Sequence, residues 1–555
     1  MAYSLAPFAP VTGLRGMVSA ADHLASTAGL GLLDQGGSAA DAAVGAAAVM
    51  AVTSPYLCGM GGDMLAVVSA PGVDPIALLA VGRAGSGVDA AKLRAEGHSI
   101  MPVRGDFRTV PVPGAVDGWL ALHDRFGRLP LPTVFAPAIE LASEGYVASA
   151  MLSLASHLVY DIPFAQELCP NGPLAPEQVV RLPGVARTLQ AIAREGRDGF
   201  YHGEFGRNLV ELGRGVYSDT DVDPTFAQWC DPLHIGVWGH ELWTVPVPSQ
   251  GYLTLASSWI AEHAGLGSDP DDPQWAHLVV EASRAAGHDR PDVLYDGADG
   301  PALLDPERLA RAGSRIDPGR AAPPDVTRPR HDDNDPTAAT GPRPGPPRIA
   351  DGDTTHLCAI DGDGLGISLT QSNALDFGSH LVAGSTGIFL HNRGVGFSLE
   401  EDHPAGLAPG RRPPHTLSPM LATTPDGALS HLVGAMGGDA QPQILLQVLA
   451  RMLHSGQDPA TAVASPRVTL VAPNAGPFRL WWGDDLKICV EAHAPSSWGT
   501  TLTERGHTVI PIGAYDPNAV GGAQAIAVVR SPDRVGHHFA GAADPRSPCA
   551  GTASR

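Results

Sequence analysis

Lysine is nearly missing from this chain: Lys92 and Lys487 are the only two, and arginine carries almost all the positive charge. We read that as coding bias rather than function. The net charge of −22 at pH 7 lacks the basic footprint that non-specific nucleic-acid binding needs, so no nucleic-acid partner is expected. Cysteine is scarce as well. Cys58, Cys169, Cys230, Cys358, Cys489 and Cys549 are scattered with no Cys-x-x-Cys pair, which speaks against a disulfide framework and a zinc site. Neither a metal nor another cofactor is expected. No run of about 18 apolar residues would span a bilayer; the best stretch, Ala39 to Val52, is short and carries Asp41. The opening Met1-Ala2-Tyr3-Ser4-Leu5-Ala6-Pro7 has no basic segment followed by an apolar one, so no signal peptide is read. The expectation is a cytoplasmic protein without a membrane partner. A Gly-x-Ser-x-Gly elbow and a His-Glu-x-x-His pair are both missing, which removes the usual marks of an α/β serine hydrolase and a zinc protease.

What is present suits an enzyme. A chain of 555 residues that is 44% hydrophobic and 17% charged can bury a large core, or more than one. The first 130 residues alternate helical and strand-like pieces. An amphipathic helix is read from Ser19 to Leu33, stopped at Gln35-Gly36-Gly37. Ser38 then reads as the N-cap of a buried helix over Ala39 to Met50. The loop Cys58-Gly59-Met60-Gly61-Gly62-Asp63 leads into a strand over Met64 to Ser69. Its order, helix then glycines then strand, is wrong for a dinucleotide fingerprint. Residues 130–312 read as mostly helical, with helices over Thr133 to Gly145, Gly184 to Glu195 and Pro273 to Gly287. Strands and one helix, Gln441 to Ser455, follow from Thr354 to about Arg530, and the last 25 residues read as frayed.

Between about Pro318 and Pro347 the chain is Pro, Arg, Asp and Gly with almost nothing apolar, a long tether that is uncommon inside a compact domain. The run 331–335 within it, His-Asp-Asp-Asn-Asp, has no rigid flanks and reads as solvated charge rather than a metal site. The tether meets Asp353-Thr354-Thr355-His356, and Leu357 to Thr370 then reads as a β-hairpin around Asp361-Gly362-Asp363-Gly364. A Thr there becomes a competent nucleophile if its own α-amino group is freed to act as base. The plain alternative is a Thr-Thr pair that starts a strand.

Three stretches now converge: Gly36-Gly37-Ser38-Ala39-Ala40-Asp41, Gly59-Met60-Gly61-Gly62, and Asp353-Thr354-Thr355-His356. With Ser385-Thr386-Gly387, Asn392, Phe397-Ser398, Arg412-Pro413, Ser418-Pro419 and Gly437-Gly438, the chain resembles the γ-glutamyltranspeptidase family of N-terminal-nucleophile hydrolases from about Gly16 to Val529. The resemblance implies an α+β fold, a four-layer αββα sandwich. It implies a precursor that cuts itself between Asp353 and Thr354 into a large subunit, 1–353, and a small one, 354–555. Thr354 would be the nucleophile, Ser372 the hydroxyl that helps hold it, and Gly437 and Gly438 the oxyanion hole. Arg83 matches the arginine that grips a substrate α-carboxylate, with an ordinary surface Arg as the alternative. Asn373, Arg393, His415, Thr416 and Asp439 are the remaining substrate-binding candidates.

The departures from the family pattern concern recognition rather than catalysis. The Asp that holds the substrate ammonium is Gly396 here, a pair of serines is His415 and Thr416, and an Asn is Ala374. Asp376 or Asp439 is left as a stand-in for the lost carboxylate. Three readings follow. The first is a self-processing amidase or transferase acting on γ-glutamyl compounds such as glutathione. The second keeps the nucleophile and changes the acyl group, as in cephalosporin acylases or relatives in secondary metabolism. The third is an unprocessed binding protein. Beyond the two subunits, the sequence leaves a homodimer of the precursor or of heterodimers open.

Overall fold

The fold is built around two mixed-length antiparallel sheets whose strands come from both ends of the chain. The computed structural model describes residues 8–323, 353–472, 478–482, 485–530 and 536–555. The expected tether, from 324 onward, and the run 331–335 lie outside the described residues. Numbered in chain order, the strands of the two sheets are β1 (Val11–Gly13), β2 (Gly16–Ala20), β3 (Asp63–Ser69), β4 (Ile76–Ala80), β5 (Ala227–Cys230), β6 (Leu233–Val237), β7 (His240–Thr244), β8 (Asp353–Asp361), β9 (Gly366–Ala374), β10 (Met420–Thr423), β11 (Leu429–Met436), β12 (Gly522–Arg530), β13 (His537–Ala543) and β14 (Gly551–Ser554). One sheet runs β14-β2-β8-β9-β3-β4-β5, the other β1-β13-β12-β11-β10-β7-β6.

Side-chain alternation along these strands sorts the core. On β3, Met64, Ala66 and Val68 join an apolar cluster with helices α1 (His23–Asp34) and α2 (Ala39–Thr53). Leu65 and Val67 join a cluster with Leu421, Leu432, Ile526 and Phe539 of the second sheet. The outer face of the second sheet packs on helices over Tyr252–His263, Pro273–Gly287 and Gln441–Leu449. Period-2 alternation is what puts successive residues on opposite faces.

Local signals explain several elements. Ser38 caps α2 with a capping box: its hydroxyl accepts from Asp41 N–H while the Asp41 carboxylate accepts from Ser38 N–H at 2.8 Å. All of α2 is buried, which its alanines and Gly45 permit. The β8–β9 hairpin turns where Asp361 accepts from the N–H groups of Asp363 and Leu365, and its other carboxylate oxygen caps Ala39 N–H. The helices expected at Thr133, Gly184 and Pro273 are present over Leu131–Glu144, Pro183–Glu195 and Pro273–Gly287.

Three expectations are corrected. Ser19 lies in β2, not in a helix, and the helix starts at His23 behind the Asp22 cap. Pairing of β2 with β8 decides this, since a tertiary partner outweighs a local pattern. The stretch 130–312 also carries strands β5, β6 and β7, the last two a hairpin through Trp238 and Gly239. The final residues are not frayed: β13 pairs with β12, and β14 pairs with β2 from Met17↔Ser554 to Ala20↔Gly551. Their small, mixed side chains show no period, so only the partner strands reveal them.

Candidate active site

Thr354 stands at an irregularity in β8. The register moves between Asp353, opposite Ala374, and Thr355, opposite Gln371. The extra residue is on β9, where Ser372 and Asn373 together face Thr354, and a bulge of this kind re-aims the side chains beside it. Thr354 is 1% exposed, and its Oγ1 donates to Ser372 Oγ at 3.1 Å. Ser372 Oγ also accepts from the Ala374 N–H at 2.8 Å and from Arg393 Nη2 at 3.2 Å. Ser372 shares the inter-sheet face of β9 with Thr370 and Ser368, whose hydroxyl reaches the Val433 carbonyl. Next to it, Gly62 leaves room for this strand: a Cβ there would collide with the Ser372 carbonyl.

From Ser372 the hydrogen bonds continue without a break. Arg393 Nη1 donates to Thr416 Oγ1 at 2.8 Å. The Thr416 and Gly438 carbonyls both accept from Gln250 Nε2, at 3.2 and 2.9 Å. Gln250 Oε1 accepts from Arg290 Nε at 3.1 Å, and Arg290 Nη2 lies 3.1 Å from Asp439 Oδ1. Gly437 and Gly438, at φ +136° and +54°, make the bend after β11 that a side chain would strain. Thr354, Ser372, Arg393, Thr416, Gly438 and Asp439 thus belong to one buried network.

Arg393 and Thr416 also floor an open cleft of about 490 Å³, walled by Arg290, Gly396, Phe397, Phe478 and Arg479. Among the described residues no carboxylate lines it. The Arg393 guanidinium is 1% exposed with its carbon 5.2 Å from the Phe478 ring centre, and no carboxylate within ion-pair distance is found for it among the described residues. Burial pulls its pKa down to about 10, against the pull of Asp63 and Asp439, so it stays charged at neutral pH.

Other expected site residues lie elsewhere. Asn373 follows Ser372 in the strand, so the pleat turns it to the helix side. There its amide donates to the Pro55 carbonyl and lines a separate cavity of about 340 Å³ with Cys58, Gly59 and Met60. His415 is fully buried, 3.1 Å from Asp63 Oδ2, with His391 Nδ1 at 3.4 Å from the same oxygen. Burial lowers His415 to about 4, and it is neutral, donating from Nε2. Burial alone would raise Asp63, but the two imidazoles hold its carboxyl far below the usual range. Arg83 is half exposed at the surface, donating to the Gly410 carbonyl at 2.9 Å and 3.9 Å from Asp296; it does not line the cleft. Asp376 lies 4.0 Å from Arg104. Gln250 and Arg290, central to the network, carry no sequence signal. Each is a single polar residue in a region read only as helical.

A Thr hydroxyl on a second hydroxyl, beside an arginine and a glycine bend, is the kind of arrangement the comparisons with known proteins bear on. The chain belongs to the gamma-glutamyltranspeptidase family: the family model of that description matches residues 25–554. It is 33% identical to the oxamate amidohydrolase proenzyme of Klebsiella pneumoniae, over 96% of this chain and 97% of that one. It is 32% identical to the glutathione hydrolase-like YwrD proenzyme of Bacillus subtilis, over 97% and 98% of the two chains. The crystal structure of cephalosporin acylase from Bacillus halodurans superposes with a TM-score of 0.84 at 29% identity, covering 98% of this chain and 97% of that one. Among the described residues no helix is long and apolar enough to cross a membrane, and no group of His, Cys, Asp and Glu is placed to hold a metal ion.

Proposed function

We propose that the protein is a self-processing amidohydrolase in which Thr354 is both the cleavage point and the nucleophile. The Thr354–Ser372 hydrogen bond inside the Arg393 network carries this reading. In the precursor, Thr354 Oγ attacks the Asp353 carbonyl; the C–N bond breaks as the Oγ proton passes to the Thr354 nitrogen, which frees the amine, and water hydrolyses the resulting ester to the Asp353 carboxylate and the Thr354 hydroxyl. That amine, with an ordinary pKa of about 7.7–8.0, then serves as the base. It takes the Oγ proton as Oγ attacks a substrate amide and passes it to the leaving nitrogen as the C–N bond breaks. Water resolves the acyl-enzyme by the same route in reverse. Ser372 holds the hydroxyl in line, and the N–H groups at Gly437 and Gly438 face the developing oxyanion. The helix and sheet clusters support reading the fold as a four-layer αββα sandwich around this site.

For the acyl group, the arginine-floored cleft favours an acid-bearing amide over a γ-glutamyl one. Asp439 is engaged by Arg290 and position 396 is Gly, so the described residues lining the cleft include no carboxylate to hold a γ-glutamyl ammonium. A relative whose name assigns it oxamate points the same way. Mass spectrometry of the purified protein tests the core of the proposal. The expected result is a chain beginning at Thr354, and an intact chain with Thr354→Ala. Splitting that persists in Thr354→Ala would move the nucleophile elsewhere.

A further inference from the structure

Gln250 is fully buried, and both polar atoms of its amide are in use. One Nε2 proton goes to the Gly438 carbonyl at 2.9 Å, the other to the Thr416 carbonyl at 3.2 Å. Its Oε1 accepts from Arg290 Nε at 3.1 Å. A primary amide has two donors and one acceptor oxygen, so the side chain is matched to two backbone carbonyls and one cation. Its own backbone N–H donates to the His415 carbonyl at 2.8 Å, and the neighbouring Ser249 Oγ donates to the Leu417 carbonyl at 2.6 Å. These bonds fasten Gln250 to the segment 415–417 that carries Thr416, and its side chain ties that segment to the glycine bend.

The bend needs such a hold. Gly437 and Gly438 both sit at positive φ, +136° and +54°, which glycine adopts because it has the widest choice of conformations. The same freedom lets their peptide planes turn unless groups outside the bend fix them. The helical turn that follows holds one side: Ala440 N–H donates to the Gly437 carbonyl and Gln441 N–H to the Gly438 carbonyl. Gln250 holds the other, as a second donor to the Gly438 carbonyl. The chain of contacts runs on to the cleft wall. Arg290 Nη2 lies 3.1 Å from Asp439 Oδ1, and Asp439 Oδ2 accepts from the Leu480 N–H at 3.1 Å, next to Phe478 and Arg479 of that wall. Donors aimed at an oxyanion lower the barrier most when they are already in place as the charge forms.

We propose that Gln250 is a positioning residue for the reaction, holding the Gly437–Gly438 bend so that its N–H groups face the oxyanion. This rests on the amidohydrolase reading above, which puts the oxyanion there. On the proposed cut, Gln250 belongs to the large subunit and the bend to the small one, so the oxyanion site is completed across the two. Gln250 does not line the cleft. Its loss therefore acts on the step in which charge develops, and leaves the binding of substrate in the cleft as it was.

The test uses Gln250→Met, which keeps the length and removes the donors, and Gln250→Glu, which keeps the shape and puts an oxygen where Nε2 stood. At about pH 8 an ordinary carboxyl is ionised and donates nothing. There kcat and KM of the processed proteins are measured with whichever of oxamate, glutaryl-p-nitroanilide and γ-glutamyl-p-nitroanilide the wild type cleaves fastest. Both variants should lose about tenfold to a hundredfold in kcat, while KM and the competitive inhibition constant of the product acid stay within about threefold of wild type. A role in filling space alone would let Gln250→Glu restore turnover, and a role in substrate binding would move KM and the inhibition constant instead. Either result, or a kcat within about threefold of wild type in both variants, overturns the inference and leaves the amidohydrolase standing. If Gln250→Met does not process, Gln250→Glu decides by the same split. If neither variant yields the two chains, Gln250 serves folding or processing instead, and the inference falls. A wild type that cleaves none of the three amides removes the amidohydrolase reading along with it.

Discussion

Replacing Ser372 by Ala removes the one atom on which three donors converge. Ser372 Oγ accepts from Thr354 Oγ1, Arg393 Nη2 and the Ala374 N–H. A rotatable hydroxyl recovers most of its loss by turning elsewhere. The guanidinium does not, because it is buried; a hydrogen bond to a charged group contributes about 1.5–3 kcal/mol. Set against a barrier, that is a rate loss of about 10- to 150-fold, since each 1.36 kcal/mol is about tenfold. The Ala374 N–H also loses its acceptor, on a residue already at φ +77°, so the variant should be less stable by about 1–3 kcal/mol. The rate is read in two ways: the half-time of splitting on a denaturing gel, and kcat of the split protein. Ser372→Thr restores the oxygen and should recover most of both. Ser372→Ala that splits and turns over within about threefold of wild type would refute the view that this oxygen organises Thr354.

Other predictions follow from the same geometry. Arg290 and Asp439 have side chains only 6% and 7% exposed, so Arg290→Met in a Thr354→Ala background, which keeps one chain, should cost about 3–5 kcal/mol by leaving a buried carboxylate unpaired. Adding Asp439→Asn should restore a substantial part of it; purely additive losses in urea midpoints would deny the coupling. Burial lowers His356 to about 3 and His415 to about 4 from 6.5. Both stay neutral when folded while the unfolded chain takes up protons below about 6.5, so stability rises with pH and is lost as pH falls from about 6.5 toward 4. Each contributes a slope of up to about 1.36 kcal/mol per pH unit, offset in part by Glu281 and Asp117, whose carboxyls burial raises. A urea midpoint at pH 5 equal to or above that at pH 7 would contradict this.

Much of the candidate site was legible before any coordinate. Thr354, Ser372 and Gly438 lie in one network, and Arg393 and Thr416, named only as substrate candidates, join them through hydrogen bonds. Asn373 faces a different cavity from that group because one step along a strand turns a side chain to the other face. Arg83 and His415 illustrate a second limit. A residue type in the right position does not say which partner claims it, and here Gly410 and Asp63 do.

By itself the chain determines what depends on neighbours in sequence: the Ser38–Asp41 cap, the Asp361 turn, the glycines that permit a bend, and a Thr at the head of a strand. These are short-range because a backbone conformation or a cap involves only a few consecutive residues. The tertiary structure alone decides the rest. It brings Gln250 and Arg290 to Asp439, joins β14 to β2 across more than 500 residues, and buries Arg393 where Asp63 and Asp439 act on it. Charge balance in a cleft is a sum over residues distant in sequence, so it exists only once the chain has folded.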